Sequence, residues 1–84
     1  MGGRAERRMK RICLIEPSGW PVELQSCPPG LFVYGDTLGF VSEYRNQPPY
    51  IVDSGEIFWG GVKNDMDRAL LKVQPCKTVW KTVL

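Results

Sequence analysis

A chain of 84 residues, 43% apolar and 24% charged, can form one small globular domain and is too apolar to be disordered. No run approaches the roughly 20 apolar residues of a membrane-spanning helix, and no signal-peptide pattern follows the basic N-terminus, so we expect a cytoplasmic protein. The lack of histidine removes the commonest general base and metal ligand, which favours a non-enzymatic function.

The first eleven residues form a basic segment. They carry five basic groups and one acidic group, a net charge of +4, whereas residues 12–84 carry six basic and eight acidic groups, a net charge of −2. We therefore predict a flexible basic tail over residues 1–11 and a single small β domain over residues 12–84. If the protein binds nucleic acid, the phosphate contacts would come from this tail, through Arg4, Arg7, Arg8, Lys10 and Arg11.

Two short strands are predicted before residue 30. Residues 12–15 form a β-rich run that stops at a Pro-Ser-Gly turn, and residues 21–25 alternate apolar and polar side chains, as a half-buried strand does. The Pro28-Pro29 pair ends the second strand, because proline has no N–H to donate to a strand ladder.

The most regular stretch, residues 31–44, predicts a β-hairpin. Its strands are residues 31–34 and 37–44, and Gly35-Asp36 forms the tight turn. A glycine inside the return strand, Gly39, indicates a bulge or a close backbone approach. Phe32 and Phe40, together with Phe58, lie in apolar runs and are predicted to form the core.

The second half of the chain predicts another hairpin, a short helix and a last strand. The hairpin joins residues 50–53 to residues 57–59, with Ile51 and Val52 opposite Ile57 and Phe58. Residues 64–70 predict the helix, which Asn64 would cap. Pro75 is expected to interrupt the extended segment that follows the helix, before a last strand over residues 76–84.

These elements together predict an all-β fold. Six to eight short strands with roughly 8–12 residues between turns are typical of a small antiparallel barrel or sandwich, here with one short helix near residues 64–70.

The three cysteines are predicted to be free thiols. Their number is odd, no Cys-x-x-Cys pair occurs, and no histidine could complete a zinc site. Cys13 and Cys76 lie in strand-like apolar runs and are expected to be buried. The sequence also lacks a phosphate-binding glycine loop and a Gly-x-Ser-x-Gly turn, so we assign no catalytic residue, no metal and no cofactor.

Aromatic residues near strand ends provide the candidate binding site. Tyrosine and tryptophan at such positions are often half exposed and are favoured as anchors in protein interfaces. The pairing predicted for the second hairpin also brings Trp59 near Tyr50. We therefore predict a protein-binding face made of Trp20, Tyr44, Arg45, Tyr50 and Trp59.

The alternative is a small nucleic-acid-binding β barrel with the basic tail as its arm. Such barrels stack bases on aromatic side chains beside a basic groove. Acidic residues on the predicted hairpins disfavour this reading because they repel phosphate; they are Asp36, Glu43, Asp53 and Glu56. Homo-oligomerisation stays open at this stage.

Residues 28–61 contain three distinctive sequence motifs. They are Pro-Pro-Gly-Leu-Phe, Leu-Gly-Phe followed by Ser-Glu-Tyr, and Ser-Gly-Glu-x-Phe-Trp-Gly-Gly, and Val-Gln-Pro follows at residues 73–75. In these motifs, over roughly half its length, the chain resembles small uncharacterised accessory proteins of tailed bacteriophages. The resemblance implies a protein that binds a host protein and inhibits or redirects it, and it transfers no site residue.

Overall fold

The computed structural model describes residues 10–44 and 46–83. The elements in chain order are β1 (Lys10–Pro17), β2 (Val22–Glu23), a 3-10 turn (Leu24–Ser26), β3 (Gly30–Tyr34), β4 (Thr37–Val41), β5 (Tyr50–Ile51), the helix α1 (Asp65–Ala69) and β6 (Lys72–Val83). The predicted all-β fold with one short helix is confirmed. Three predicted tail residues, Arg4, Arg7 and Arg8, and the predicted site residue Arg45 lie outside the described residues.

The longest strand, β6, organises the sheet. All its pairings are antiparallel: with β1 over residues 76–83, with β2 at Val73 and with β3 at Pro75. The strand order is β1-β6-β3-β4-β5, with β2 beside β6. The predicted break at Pro75 is wrong, because β6 continues through Pro75, which pairs with Phe32 of β3. The missing N–H of Pro75 is tolerated because the β1–β6 ladder ends at Cys76, and its carbonyl still accepts the Ser18 N–H at 2.8 Å.

The first predicted hairpin is formed by β3 and β4. Its register places Phe32 opposite Gly39, and Gly35 at the turn has a φ of +59°, a conformation that favours glycine. The return strand ends at Val41 rather than at residue 44. A Cβ atom on Gly39 would overlap the Phe32 ring, so the predicted close approach at this glycine is confirmed.

The core contains residues that are far apart in the sequence. Its buried members are Leu24, Cys27, Phe32, Phe58 and Val73. The rings of Phe32 and Phe58 meet edge to face with centroids 5.1 Å apart. Phe40 was predicted to join them and does not. It follows Gly39 on β4 and therefore points to the opposite face, where it is half-buried with its ring centroid 5.5 Å from that of Tyr50.

The second predicted hairpin is shorter than expected and has a different register. Only Tyr50 and Ile57 form a bridge, and the Phe58 N–H donates to the carbonyl of Pro49 at 2.9 Å. The predicted pairing of Ile51 and Val52 with residues 57–58 is therefore wrong, because the register is shifted toward the proline loop, and the Ile51 N–H instead donates to the carbonyl of Glu56 at 2.7 Å. The predicted helix cap is confirmed, since the Asn64 side chain accepts the Asp67 N–H at 2.8 Å.

β1 and residues 76–83 of β6 form a two-stranded ribbon, hereafter the ribbon. It extends from the core and gives the molecule principal dimensions of 59 × 25 × 23 Å. The radius of gyration is 16.8 Å, against roughly 12 Å expected for a compact chain of this length. Cys13 is exposed on the ribbon and Cys76 is half-buried at its base, so the prediction that both are buried is wrong: the ribbon has no second layer over it. No helix among residues 10–44 and 46–83 has the length and apolarity to cross a membrane.

Candidate functional site

A groove lies between the loop of residues 46–49 and α1. Its volume is about 410 Å³ and it is hereafter the Trp59 groove. Its walls combine apolar rings and side chains with one acidic and one basic residue. The lining residues are Asn46, Gln47, Pro48, Pro49, Ile57, Trp59, Asp65 and Arg68.

The position of Trp59 is fixed by the backbone on both sides of it. Phe58 is buried in the core and its N–H is bonded to Pro49, so the next side chain points out of the core toward the proline loop. Gly60 then turns the chain with a φ of +64°, and a Cβ there would overlap the Leu71 side chain. Trp59 is consequently held with 39% of its surface exposed.

Arg68 covers one side of Trp59. Its guanidinium carbon lies 4.4 Å from the centroid of the indole, and its Nη2 lies 3.1 Å from Oδ1 of Asp65. The Arg68 side chain is only 13% exposed, whereas that of Asp65 is 80% exposed. A cation–π contact of this kind stabilises by about 0.5–2 kcal/mol, while the exposed ion pair contributes little. The guanidinium therefore serves mainly to hold the indole in place.

Sequence reasoning missed Arg68. The signal was the spacing of Asp65 and Arg68 on a helix capped by Asn64, because side chains three residues apart share one helix face. Nothing in the sequence indicated that this face meets Trp59, since that contact depends on how α1 returns to the proline loop.

The two predicted tyrosines lie near Phe40. Tyr44 lines a pocket of about 370 Å³ together with Phe40, hereafter the Tyr44 pocket, and the Phe40 ring contacts that of Tyr50. The turn that carries Tyr44 is closed by its N–H donating to Ser42 Oγ at 3.0 Å. A neighbouring cavity of about 590 Å³ is lined by both Tyr44 and Gln47, and Gln47 also lines the Trp59 groove. The loop of residues 46–49 thus borders both sites.

The structure places the predicted aromatic residues in adjoining positions. Tyr44 lines the Tyr44 pocket, Trp59 lines the Trp59 groove, and Tyr50 pairs both with Phe40 and with Ile57, which lines that groove. Trp20 is 84% exposed and lines neither the Trp59 groove nor the Tyr44 pocket. It follows a turn tied to β6 by the Gln74 side-chain amide, which donates to the carbonyl of Gly19 at 3.1 Å.

The thiols at the base of the sheet are poor nucleophiles. Burial raises the pKa of the Cys27 thiol, and the neighbouring Cys76 raises that pKa further. Burial likewise raises the pKa of Cys76, against a smaller opposing effect of a backbone hydrogen bond from Val33. Both groups therefore remain protonated at neutral pH. Within the described ranges, no three His, Cys, Asp or Glu side chains are grouped as metal ligands would be.

Two of the five basic residues predicted for the tail belong to the ribbon. Lys10 and Arg11 start β1, and the Arg11 guanidinium carbon lies 5.3 Å from the centroid of the Trp80 ring. This stack is exposed, unlike the one between Arg68 and Trp59, because Trp80 retains 59% of its surface.

The fold and the site define a small all-β domain with an aromatic groove beside a proline loop. No family model, no curated protein and no solved structure matches the chain.

Proposed function

We propose that the protein is a non-enzymatic protein-binding module and that the Trp59 groove is its principal contact surface. The observation that carries this proposal is the half-exposed Trp59, held between Arg68 and the proline loop. Tryptophan and arginine are enriched among the residues that dominate binding energies. An anchor that is already fixed in the free protein loses little side-chain entropy on binding.

The chemistry of the groove defines the partner segment that fits it. Pro48, Ile57 and Trp59 offer apolar surface for an aliphatic or aromatic side chain. Asp65 lies at the edge of the groove with its carboxylate exposed, so it can accept hydrogen bonds from a basic group. A segment that places an apolar side chain next to a lysine or arginine satisfies both features.

The resemblance to phage accessory proteins supports a more specific form of the proposal. The partner would be a bacterial host protein in the cytoplasm, and binding would inhibit or redirect it. Proteins of that kind need no catalytic residues, which agrees with a sequence that has no histidine and no recognisable nucleophile motif.

The test is a capture experiment with the full chain immobilised and bacterial lysate treated with nuclease. A captured protein should be lost with Trp59→Ala, because truncating a central anchor costs about 2 kcal/mol or more of binding energy. Met66→Ala is the matched control, since Met66 is an exposed apolar residue of α1 that does not line the groove. If Trp59→Ala keeps the melting temperature and still captures the same protein as the wild type, the groove is not the contact surface.

The nucleic-acid alternative rests on one observation in the ribbon. Its strands carry Lys10, Arg11, Lys77 and Lys81 against the single acidic residue Glu16. A two-stranded β-ribbon fits the major groove of duplex DNA. Binding of a labelled duplex that weakens steeply with salt, and is lost on replacing Arg11 and Lys81 by alanine, would favour this alternative.

A further inference from the structure

Among the strands formed by residues 10–44 and 46–83, β1 is an edge strand whose outer backbone groups have no partner strand. The Ser18 N–H donates to the carbonyl of Pro75. This bond shows which residue pairs of the β1–β6 ladder are hydrogen-bonded, because hydrogen-bonded and non-hydrogen-bonded pairs alternate along an antiparallel ladder. Counting back from Ser18, the even-numbered residues of β1 direct their backbone groups toward β6. Arg11, Cys13 and Ile15 therefore direct their N–H and C=O groups outward, where another strand can pair with them.

The ribbon carries apolar side chains on both faces, and the charged residues Lys10, Glu16, Lys77 and Lys81 share one of them. Residues opposite one another in the ladder share a face, so Ile12 and Leu14 lie on one face with Val79, while Cys13 and Trp80 lie on the other. An isolated two-stranded ribbon is only marginally stable in water. An exposed apolar edge strand of eight residues is a template for pairing with a further strand.

We propose that two copies of the chain pair antiparallel through β1 and form a continuous four-stranded sheet, with β6 of each copy on the outside. A two-fold axis perpendicular to this sheet passes next to Cys13 and places Cys13 opposite the partner's Cys13. Arg11 then lies opposite the partner's Ile15, and each of these three residues both donates and accepts one backbone hydrogen bond.

The side chains favour this register. It places Lys10 opposite the partner's Glu16 and Ile12 opposite the partner's Leu14, so unlike charges meet and apolar side chains meet. In the monomer, Glu16 lies 3.9 Å from Lys81 with both side chains about half exposed. That long contact leaves the Glu16 carboxylate accessible to the partner's Lys10.

Neighbouring registers are worse. Centring the pair on Leu14 would place Ile12 opposite the partner's Glu16 and Arg11 opposite the partner's Pro17, which has no N–H to donate. Centring the pair on Ile12 would place Lys10 opposite the partner's Leu14, a charged side chain against an apolar one. The backbone and side-chain requirements are met together only when the pair is centred on Cys13.

A second copy is favoured over nucleic acid as the occupant of this edge. The unpaired groups of β1 form a regular row of backbone donors and acceptors, and only another strand matches the row along its length. The apolar side chains on both faces would join those of the partner into larger apolar surfaces. Nucleic acid would pair with the four basic side chains of the ribbon, but it would match neither the row of unpaired backbone groups nor the apolar side chains.

Sedimentation velocity of the nuclease-treated full chain over a range of concentrations tests the proposal. We expect a concentration-dependent dimer. Cys13→Pro removes an outward N–H that β6 does not use and should abolish the dimer while the circular dichroism spectrum of the folded chain is retained. Lys10→Glu, which places like charges opposite one another, should raise the dissociation constant about tenfold, and Glu16→Lys added to it should restore much of the affinity.

A short bismaleimide provides the test of register. Paired Cys13 residues would have Cα atoms about 5.5 Å apart, within reach of the reagent, whereas Cys27 is buried and Cys76 half-buried within each copy. We expect a cross-linked dimer that Cys13→Ser abolishes and Cys76→Ser does not. A monomer at all concentrations, or a dimer that resists both Cys13→Pro and Lys10→Glu, overturns the proposal. An assembly that disappears after nuclease treatment overturns it in favour of the nucleic-acid alternative.

Discussion

The two halves of β6 lie in opposite surroundings. Its first residues pair with β2 on one side and β3 on the other, and Val73 is 1% exposed. Its later residues pair with β1 alone among the described strands, and Trp80 is 59% exposed. Residues 72–75 alternate polar with apolar side chains, whereas the later half has the apolar neighbours Val79 and Trp80 on opposite faces. The comparison teaches that both patterns form a strand, whereas burial requires a second layer of side chains against it.

The buried and the exposed apolar residues have different roles, the first in stability and the second in recognition. Phe32 and Phe58 pack against Val73 and carry the stability of the domain. The ribbon and the Trp59 groove expose their large apolar side chains instead, and contiguous exposed apolar surface marks interaction sites.

The largest expected effect comes from removing the centre of the core. Phe32→Ala should lower the free energy of unfolding by about 3–5 kcal/mol, because it creates a cavity among fully buried side chains. Trp80→Ala in the ribbon should cost only about 0.5–1 kcal/mol, mainly the lost stack with Arg11. Urea unfolding followed by circular dichroism measures both. Equal costs would mean that the ribbon is packed as the core is.

Gly39→Ala should have the next largest effect. The added methyl group meets the Phe32 ring, and such overpacking typically costs about 1–3 kcal/mol. The control is the double variant with Phe32→Leu, whose cost should be less than the sum of the two single costs, because the smaller side chain leaves room for the methyl group. Additive costs would show that the two residues do not share this space.

Phe40→Ala should cost less than Phe32→Ala. The sequence predicts that both phenylalanines belong to the core, but Phe40 is half-buried on the opposite face of β4 and contacts the exposed ring of Tyr50. About 1–2 kcal/mol is expected from the apolar area involved. A double-mutant cycle with Tyr50→Ala should give a coupling of about 0.5–1.5 kcal/mol. A cost as large as that of Phe32→Ala would place Phe40 in the core.

The smallest expected effect is the alkaline dependence of stability. Burial raises the pKa of Cys27 in the folded chain. The contribution of the neutral thiol to the free energy of unfolding is therefore present in full below the ordinary thiol pKa of about 8.5. Above that value the unfolded chain ionises first, and the contribution is lost as the pH rises through the folded pKa. We expect the urea midpoint of unfolding to fall less steeply with rising pH for Cys27→Ala than for the wild type. Identical slopes for the wild type and Cys27→Ala would contradict the buried assignment of this thiol.

Much of the local structure could be predicted from the sequence. The turn at Gly35-Asp36, the cap at Asn64 and the close approach at Gly39 each depend on a residue type whose conformational preference acts within a few residues. The candidate site could be predicted only in part. Tyr44 and Trp59 are exposed aromatics near strand ends, as expected, but no local pattern predicted that Arg68 would stack on Trp59.

The sequence by itself determined that this chain forms short antiparallel strands with one capped helical turn, because turn residues and side-chain alternation act locally. The tertiary structure decided which faces of those strands are covered. Phe40 and Cys13 have the same strand-like neighbours as the buried residues, yet they are exposed in full or in part because no second layer packs over them. It also decided that Pro75 continues a strand and that Arg68 reaches Trp59. Both depend on contacts between residues distant in the chain, and no local pattern encodes which distant surface a side chain will meet.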